Sequence, residues 1–356
     1  MKMRPNGDKS GKISVMEASP CPLEPCPSPD ALRGRRVAVA GYGNQGRAHA
    51  LNLRDAGIDV RVAGRPGSDA RGRAMRDGFD TVDTREAAGN SDLLVLALPD
   101  EVHAEVWTRD VAPAIRPGQV AGFIHGSSIH FGLVRPPAGI GVVMVAPKGP
   151  GTTLRARYEA GQGIPGLLAL HQERDASDGG ASALDLARAW AAAIGCGRAG
   201  VVRTTFEAEA VTDLFGEQAV LCGGMMGLAQ AAFETLVDAG YPPLLAYTEC
   251  VHEIKQVADL LYARGPAGMR RAISNTAEFG AYGAAPEIAD EHVRATMRRL
   301  LEEIRSGRFT RRMQADHDAG APWFRAAREA AAEHPMERAG AEVRALMPWL
   351  EAEGHA

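Results

Sequence analysis

From Arg36 onward, short and mostly apolar runs alternate with longer stretches of helical period. The apolar runs predict strands at 37–40, 60–63, 93–98, 120–124, 142–146 and 167–170. They are continuous rather than alternating, so both faces of each strand are expected to be buried in a mostly parallel sheet. Helical stretches between them supply the covering layers of an α/β domain. Beyond about Val202 the strand-like runs stop, and the pattern predicts helices at 206–239, 244–263, 268–278, 288–306, 322–333 and 338–349. The expected organisation is a flexible, proline-rich tail over 1–32, an α/β domain over 33–202 and an all-helical domain over 203–350. The polar, glycine-rich stretch from Glu173 to Ser182 reads as a surface loop.

Composition narrows the function classes. Of 356 residues, 45% are apolar and 24% charged, the balance of a globular protein with a sizeable core. The formal net charge of −4 argues against a nucleic-acid or membrane-surface binder, and 5% aromatics are too few for a base-stacking platform. No apolar run approaches the roughly 18 residues of a membrane span. The five cysteines are scattered, which fits a reducing cytoplasm and no disulfide framework.

The most informative turn is Gly41-x-Gly43-x-x-Gly46, which follows the first strand and opens a helix. In that context the first glycine permits a tight turn, the second lets backbone approach a pyrophosphate and the third lets helix and strand pack closely. The helix N-terminus offers free N–H groups to phosphate. A Rossmann-like NAD(P) domain is the expectation. The second strand ends in Ala63-Gly64-Arg65-Pro66-Gly67-Ser68-Asp69-Ala70-Arg71. Arg65 and Ser68, assisted by Arg71, suit a 2′-phosphate, whereas Asp69 would repel it unless it faces water. The balance favours NADPH and leaves NADH open.

Two carboxylate pairs stand out in otherwise apolar helical stretches: Asp213 with Glu217, and Glu249 with Glu253. Residues four apart share a helix face. Each pair repels itself unless a cation or solvent intervenes, and unpaired buried carboxylates are costly. Together they match the charge of two divalent cations with oxygen ligands, which suits Mg²⁺. Acidic stripes on exposed helix faces are the other reading, and spacing alone favours it.

These pieces together resemble ketol-acid reductoisomerases of the short, class I form. The resemblance runs from about Leu32 to Leu350. It is carried by GYGNQGRAHALNLRDAG (41–57), LPDEV (98–102), HGSSIHFG (125–132), VAPKGPG (145–151), TDLFGEQAVLCGG (212–224), ECVHEIK (249–255) and ISNTAEFG (273–280). It implies that Asp213 bridges two Mg²⁺ ions, that Glu217 completes the first and that Glu249 and Glu253 bind the second. Ser274 matches a substrate-contacting serine, His125 an active-site histidine and Lys148 the lysine beside the metals. Gly41, Tyr42, Gly43, Asn44, Gln45, Gly46, Arg65, Ser68, Asp100, Glu101, Val102, His103 and Gly151 fall where the family binds NADPH. The resemblance further implies a knotted helical domain and a homodimer or higher oligomer in which two subunits share each site.

The implied substrate is a small 2-hydroxy-3-keto acid such as 2-acetolactate, undergoing alkyl migration and then reduction, with Lys148 and Glu253 handling protons. The family usually carries Phe-Asn where this chain has Ser127-Ser128. That departure motivates an alternative: a divergent paralogue that reduces another 2-keto acid. A nucleotide-binding protein without activity is the third reading, and retention of the carboxylates argues against it.

Overall fold

The computed structural model describes residues 21–175, 177 and 179–350. Eight strands form one sheet: β1 (Val37–Ala40), β2 (Val60–Ala63), β3 (Thr81–Val82), β4 (Leu93–Leu96), β5 (Val120–Phe123), β6 (Gly141–Pro147), β7 (Gly166–Gln172) and β8 (Val201–Arg203). Their order is β3-β2-β1-β4-β5-β6-β7-β8, and every neighbouring pair is parallel except β6 with β7. Parallel pairing requires crossovers, and the helices Asn44–Asp55 and Ala183–Ala193 are among the elements that supply them.

The sheet is buried on both faces, as its continuous apolar strands demand. Val37, Val39, Leu93, Val95, Val143 and Val145 pack in one cluster with Leu51, Leu53 and Trp190. The alternate residues Ala38, Ala40, Leu94, Leu96, Val142 and Met144 pack in a second with Trp107, Phe123 and Phe206. β3 and β8 escape the sequence pattern because each is only two or three residues long and neither is an apolar run.

Residues 22–32 are not a tail. Leu23 bridges Val202 in antiparallel fashion, the Glu24 N–H donates to the Val201 carbonyl at 2.8 Å, and the Arg203 N–H donates to the Pro22 carbonyl at 2.9 Å. The Glu24 carboxylate meets Arg188 and Arg203, and Leu32 is fully buried in the first cluster. This segment covers the edge of β8, a role carried mainly by main-chain groups and so without an apolar period. The remainder of the expected tail, residues 1–20, lies outside the described residues.

The second half is helical. Helix Phe206–Gly216 runs through a wider π turn, Glu217–Leu221, into helix Gly223–Asp238. A second π turn, Thr248–His252, leads into helix Ile254–Arg270. The stretch expected as one helix over 268–278 is broken: Ser274 accepts a hydrogen bond from the Ala277 N–H and caps a new helix, Asn275–Ile288. A serine oxygen satisfying an orphan N–H is what starts a helix there. Helix Arg308–Asp318 was not expected.

This half has little core of its own. Its one separate cluster contains Phe233, Ala246, Met336 and Ala339. Leu221, Leu228, Tyr262, Phe279 and Tyr282 are all more than half exposed. No unbroken apolar run of membrane length is expected from the sequence. The continuous helix Phe206–Asp238 is nonetheless long and apolar enough to cross a membrane by length and composition, and only 11% of its most apolar window is buried within the chain.

Candidate active site

The glycine turn has the geometry its spacing requires. Gly41 has φ +98°, and a Cβ there would sit 2.3 Å from the Ala97 carbonyl oxygen. A Cβ on Gly46 would sit 2.3 Å from the Gly41 carbonyl oxygen, and one on Gly151 2.1 Å from that of Asn44. A Cβ on Gly43 would meet nothing within 4 Å, so the turn is open on that side. A cavity of about 540 Å³ opens there, lined by Gly41, Tyr42, Gly43, Asn44 and Gln45 from the turn and by Arg65 and Ser68 after β2. Leu98, Pro99, Val102 and Ile124 line its opposite side. It lies beyond the C-terminal ends of parallel strands, where α/β sheets bind ligands. Gly46 packs beneath the turn, and Gly151 lines an adjoining groove.

Asp100, Glu101 and His103 do not line that cavity. Asp100 Oδ2 lies 4.0 Å from His125 Nε2, and the Glu101 carbonyl accepts from Gln314 Nε2 at 3.2 Å. The His103 ring is buried. After β2, Ser68 caps helix Asp69–Arg76, accepting from the Arg71 N–H, while its hydroxyl donates to the Arg65 carbonyl. Arg71 is committed to Asp83 at 2.8 Å and to Thr81. Arg65 is exposed and makes no ion pair among the described residues.

The second half of the site is a charge cluster in which His125, Lys148 and Asp213, all expected from the sequence, meet around Glu209, which the sequence did not single out. Glu209, 1% exposed, accepts the Gly126 N–H at 2.7 Å and the Lys148 ammonium at 2.7 Å, and lies 3.0 Å from His125 Nδ1. Lys148 also donates to Asp213 at 2.8 Å, and Asp213 lies 3.5 Å from His125 Nδ1. His125 follows β5 and Lys148 follows β6, so the strand ends present both. Glu209, Asp213 and Glu217 are spaced by four, one turn apart on one helix. Extending the noticed Asp213–Glu217 stripe one turn back was the available signal for Glu209.

The electrostatics follow from these contacts. Burial raises the Glu209 carboxyl, but His125 and Lys148 outweigh it and hold it down at about 2. Burial lowers His125, yet Glu209, Asp100 and Asp213 lift it to about 9. Lys148 is likewise depressed by burial and raised on balance by Glu209 and Asp213. Both cations are therefore held charged at neutral pH. Glu217 lies at the exposed rim, and its carboxyl is pushed up by partial burial and then by the Asp213 charge.

Candidate ligand atoms of His125, Glu209 and Asp213 lie within 4.8 Å of one another. Asp213 and Glu217 offer the hard oxygen donors that Mg²⁺ requires, and Glu217 makes no ion pair among the described residues. These residues fit one half of a divalent-cation site. Glu249, Glu253 and Ser274 are exposed on other helices, and none of them joins this cluster among the described residues. The site within one chain thus contains the first carboxylate pair and not the second.

Two family models match. Residues 31–200 match the acetohydroxy acid isomeroreductase NADPH-binding domain, and residues 206–349 match the ketol-acid reductoisomerase C-terminal domain. An NADH-preferring ketol-acid reductoisomerase from an uncultured archean superposes with a TM-score of 0.86 at 38% identity, covering 90% of this chain and 97% of its own. A semialdehyde dehydrogenase NAD-binding protein from Cupriavidus necator superposes with a TM-score of 0.56 at 20% identity, covering 76% of this chain and 99% of its own, a likeness of fold alone. The two models together span the glycine turn, the charge cluster and the helical half, and the chain belongs to the ketol-acid reductoisomerase family.

Proposed function

We propose that this protein is a Mg²⁺-dependent isomeroreductase that acts on 2-acetolactate or a close 2-hydroxy-3-keto acid, with NADPH as the first cofactor and NADH accepted. The observation that carries this reading is the buried Glu209. It gathers Lys148, His125 and Asp213 beside the cofactor cavity, which Ile124 and Pro99 connect to His125 and Asp100.

An ammonium has three protons. Lys148 gives two to Glu209 and Asp213, leaving one to donate to a substrate oxygen. Because its pKa is raised, Lys148 acts as a fixed cation and hydrogen-bond donor rather than as a base. His125, also held charged, steadies the carboxylates and can donate a proton from its second ring nitrogen. Developing negative charge on neighbouring substrate oxygens meets preorganised positive groups on one wall. When bound at Asp213 and Glu217, Mg²⁺ would polarise those oxygens, and the nicotinamide would supply the hydride for the reductive half. We assign Glu249, Glu253 and Ser274 to the partner subunit's contribution in a homodimer, with Glu253 a proton carrier there. The uncovered apolar faces of helices Phe206–Asp238 and Asn275–Ile288 support that assembly over a membrane span.

For the cofactor, the support is divided. Arg65 is a free guanidinium at the end of β2, whereas Ser68 and Arg71 are already engaged and Asp69 lies in the same loop. A preference for NADPH then rests chiefly on Arg65, since Arg73, which also lines the cavity, donates to the Tyr42 carbonyl.

The test is oxidation of NADPH, and separately of NADH, with 2-acetolactate and Mg²⁺, beside a run on the rearranged intermediate 3-hydroxy-3-methyl-2-oxobutanoate. Turnover of both substrates supports the reading. Turnover of the intermediate alone would mean reduction without migration, the second reading that Ser127-Ser128 suggested. Ser128 bonds to His103 rather than to any carboxylate of the cluster, which favours intact migration.

A further inference from the structure

Ser128, one of the two serines that depart from the family pattern, is fully buried, and its hydroxyl lies 2.7 Å from His103 Nδ1. The other ring nitrogen of His103, Nε2, lies 3.0 Å from the Leu98 carbonyl oxygen. A carbonyl only accepts, so Nε2 carries the proton and Nδ1 is the acceptor. Ser128 O–H is therefore the donor. Burial disfavours a charged ring here, which keeps this neutral tautomer. The two bonds tie the short helix Ser127–His130 to the segment between β4 and the helix that begins at His103.

That segment is one wall of the cofactor cavity. Leu98, Pro99 and Val102 line it, while Asp100 faces His125 across 4.0 Å. Without the His103 bridge, the Leu98 carbonyl would lose its side-chain partner. The imidazole also packs against Phe123, with ring centroids 6.1 Å apart, so its plane is held by the core as well.

We propose that Ser128 is a positioning residue which, through His103, sets the Leu98–Val102 wall of the cofactor cavity and thereby the affinity for the reduced nicotinamide dinucleotide. The inference deepens the proposed function and rests on that reading of the cavity. Binding sites lose affinity steeply when a supporting side chain lets a wall move by an ångström or so.

The test is titration of the full-length protein with NADPH and with NADH, followed by the fluorescence of the reduced nicotinamide, without substrate. Ser128→Ala should raise Kd for both cofactors by about fivefold or more, because the wall is shared by both. KM for the cofactor should rise in parallel while kcat at saturating cofactor stays nearly unchanged. Ser128→Thr, which keeps the hydroxyl, should restore Kd. A Ser128→Ala protein that melts at a lower temperature but binds both cofactors within about twofold of the parent would overturn the proposal, since the serine would then serve only stability. If Ser128→Ala does not fold, His103→Leu, which has neither donor nor acceptor, removes the same bridge from its other side, and the same criterion applies. Should the parent protein itself bind neither dinucleotide, the reading of the cavity fails and this inference falls with it.

Discussion

The Lys148 ammonium and the Glu209 carboxylate are 2.7 Å apart, although 61 residues separate them in the chain, and Glu209 is 1% exposed. A buried carboxylate of this kind is tolerable only because Lys148, His125 and the Gly126 N–H surround it. Removing its charge should therefore do more than delete one contact. Glu209→Gln leaves Lys148 with Asp213, and His125 with Asp213 and the more distant Asp100, and breaking a buried pair of this sort costs about 3–5 kcal/mol. Turnover should fall by about 10²-fold or more, with cofactor affinity little changed. Steady-state kinetics beside cofactor titration checks both halves of this expectation. A Glu209→Gln enzyme with ordinary kcat would show that the cluster is scaffolding only.

The same cluster makes a pH expectation with a definite sign. His125 is raised in the folded chain, from an ordinary value near 6.5 to about 9. A group raised on folding contributes stability that is fully present below its unfolded value and is lost as pH rises through the folded one. In protein freed of divalent cations by chelation, the melting temperature should therefore decline between about pH 6.5 and 9 through this histidine. His125→Asn should flatten that part of the profile. Saturating Mg²⁺ should do so as well, since a cation on Asp213 would offset one of the charges that raise His125. Melting curves across that range, with and without Mg²⁺, decide it. An unchanged slope in His125→Asn would mean that other groups carry the pH dependence.

Legibility in the sequence followed the range of the interaction. β1, β4 and β5 were readable because burial on both faces demands unbroken apolar runs, β2 because Val60, Val62 and Ala63 keep it apolar around an exposed Arg61, and the glycine turn because close approach at Gly41 and Gly46 admits no Cβ. Glu209 was missed as a site residue although it extends the Asp213–Glu217 stripe by one turn. Its partners arrive from the ends of β5 and β6, and a stripe alone does not tell a buried glutamate from a solvated one. The docking of residues 22–32 was hidden for another reason: main-chain bonds to Val201 and Arg203 leave no side-chain period. The break before Ser274 was missed because a helix cap is decided by one hydroxyl within an otherwise helical composition. Glu249 and Glu253 stand out in sequence, yet a single chain leaves them exposed and apart from Asp213.

Cofactor choice should turn on Arg65. It lines the cavity after β2 without an ion pair among the described residues, while Arg73, which also lines it, donates to the Tyr42 carbonyl and Arg71 is held by Asp83. A charge-assisted hydrogen bond is worth about 1.5–3 kcal/mol, so Arg65→Ala should raise KM for NADPH by about tenfold or more. KM for NADH should move by about twofold at most, since NADH has no 2′-phosphate for the residue to hold. Asp69→Asn should act in the opposite sense and favour NADPH by removing a like charge beside that phosphate. Parallel kinetics with the two cofactors reads the ratio directly. Equal losses with both would reassign Arg65 to a part of the dinucleotide they share.

The apolar faces of the helical half give an expectation about assembly. Leu221 and Leu228 are 62% and 55% exposed, and Phe279 is 85% exposed, an apolar surface of the kind that a second copy would cover under the proposed assembly. Leu228→Asp should shift the protein toward monomer in sedimentation velocity and abolish turnover if the second carboxylate pair comes from the partner. A complementation experiment tests that sharing without disturbing the interface. Asp213→Ala and Glu249→Ala should each be inactive. In a dimer that combines them, one site receives both substitutions and the other receives neither. Coexpression of the two variants should therefore recover about a quarter of the parent activity, because half of randomly formed dimers are mixed and each has one intact site. Sites completed within a single chain would give no recovery, since every site would then carry one of the two lesions.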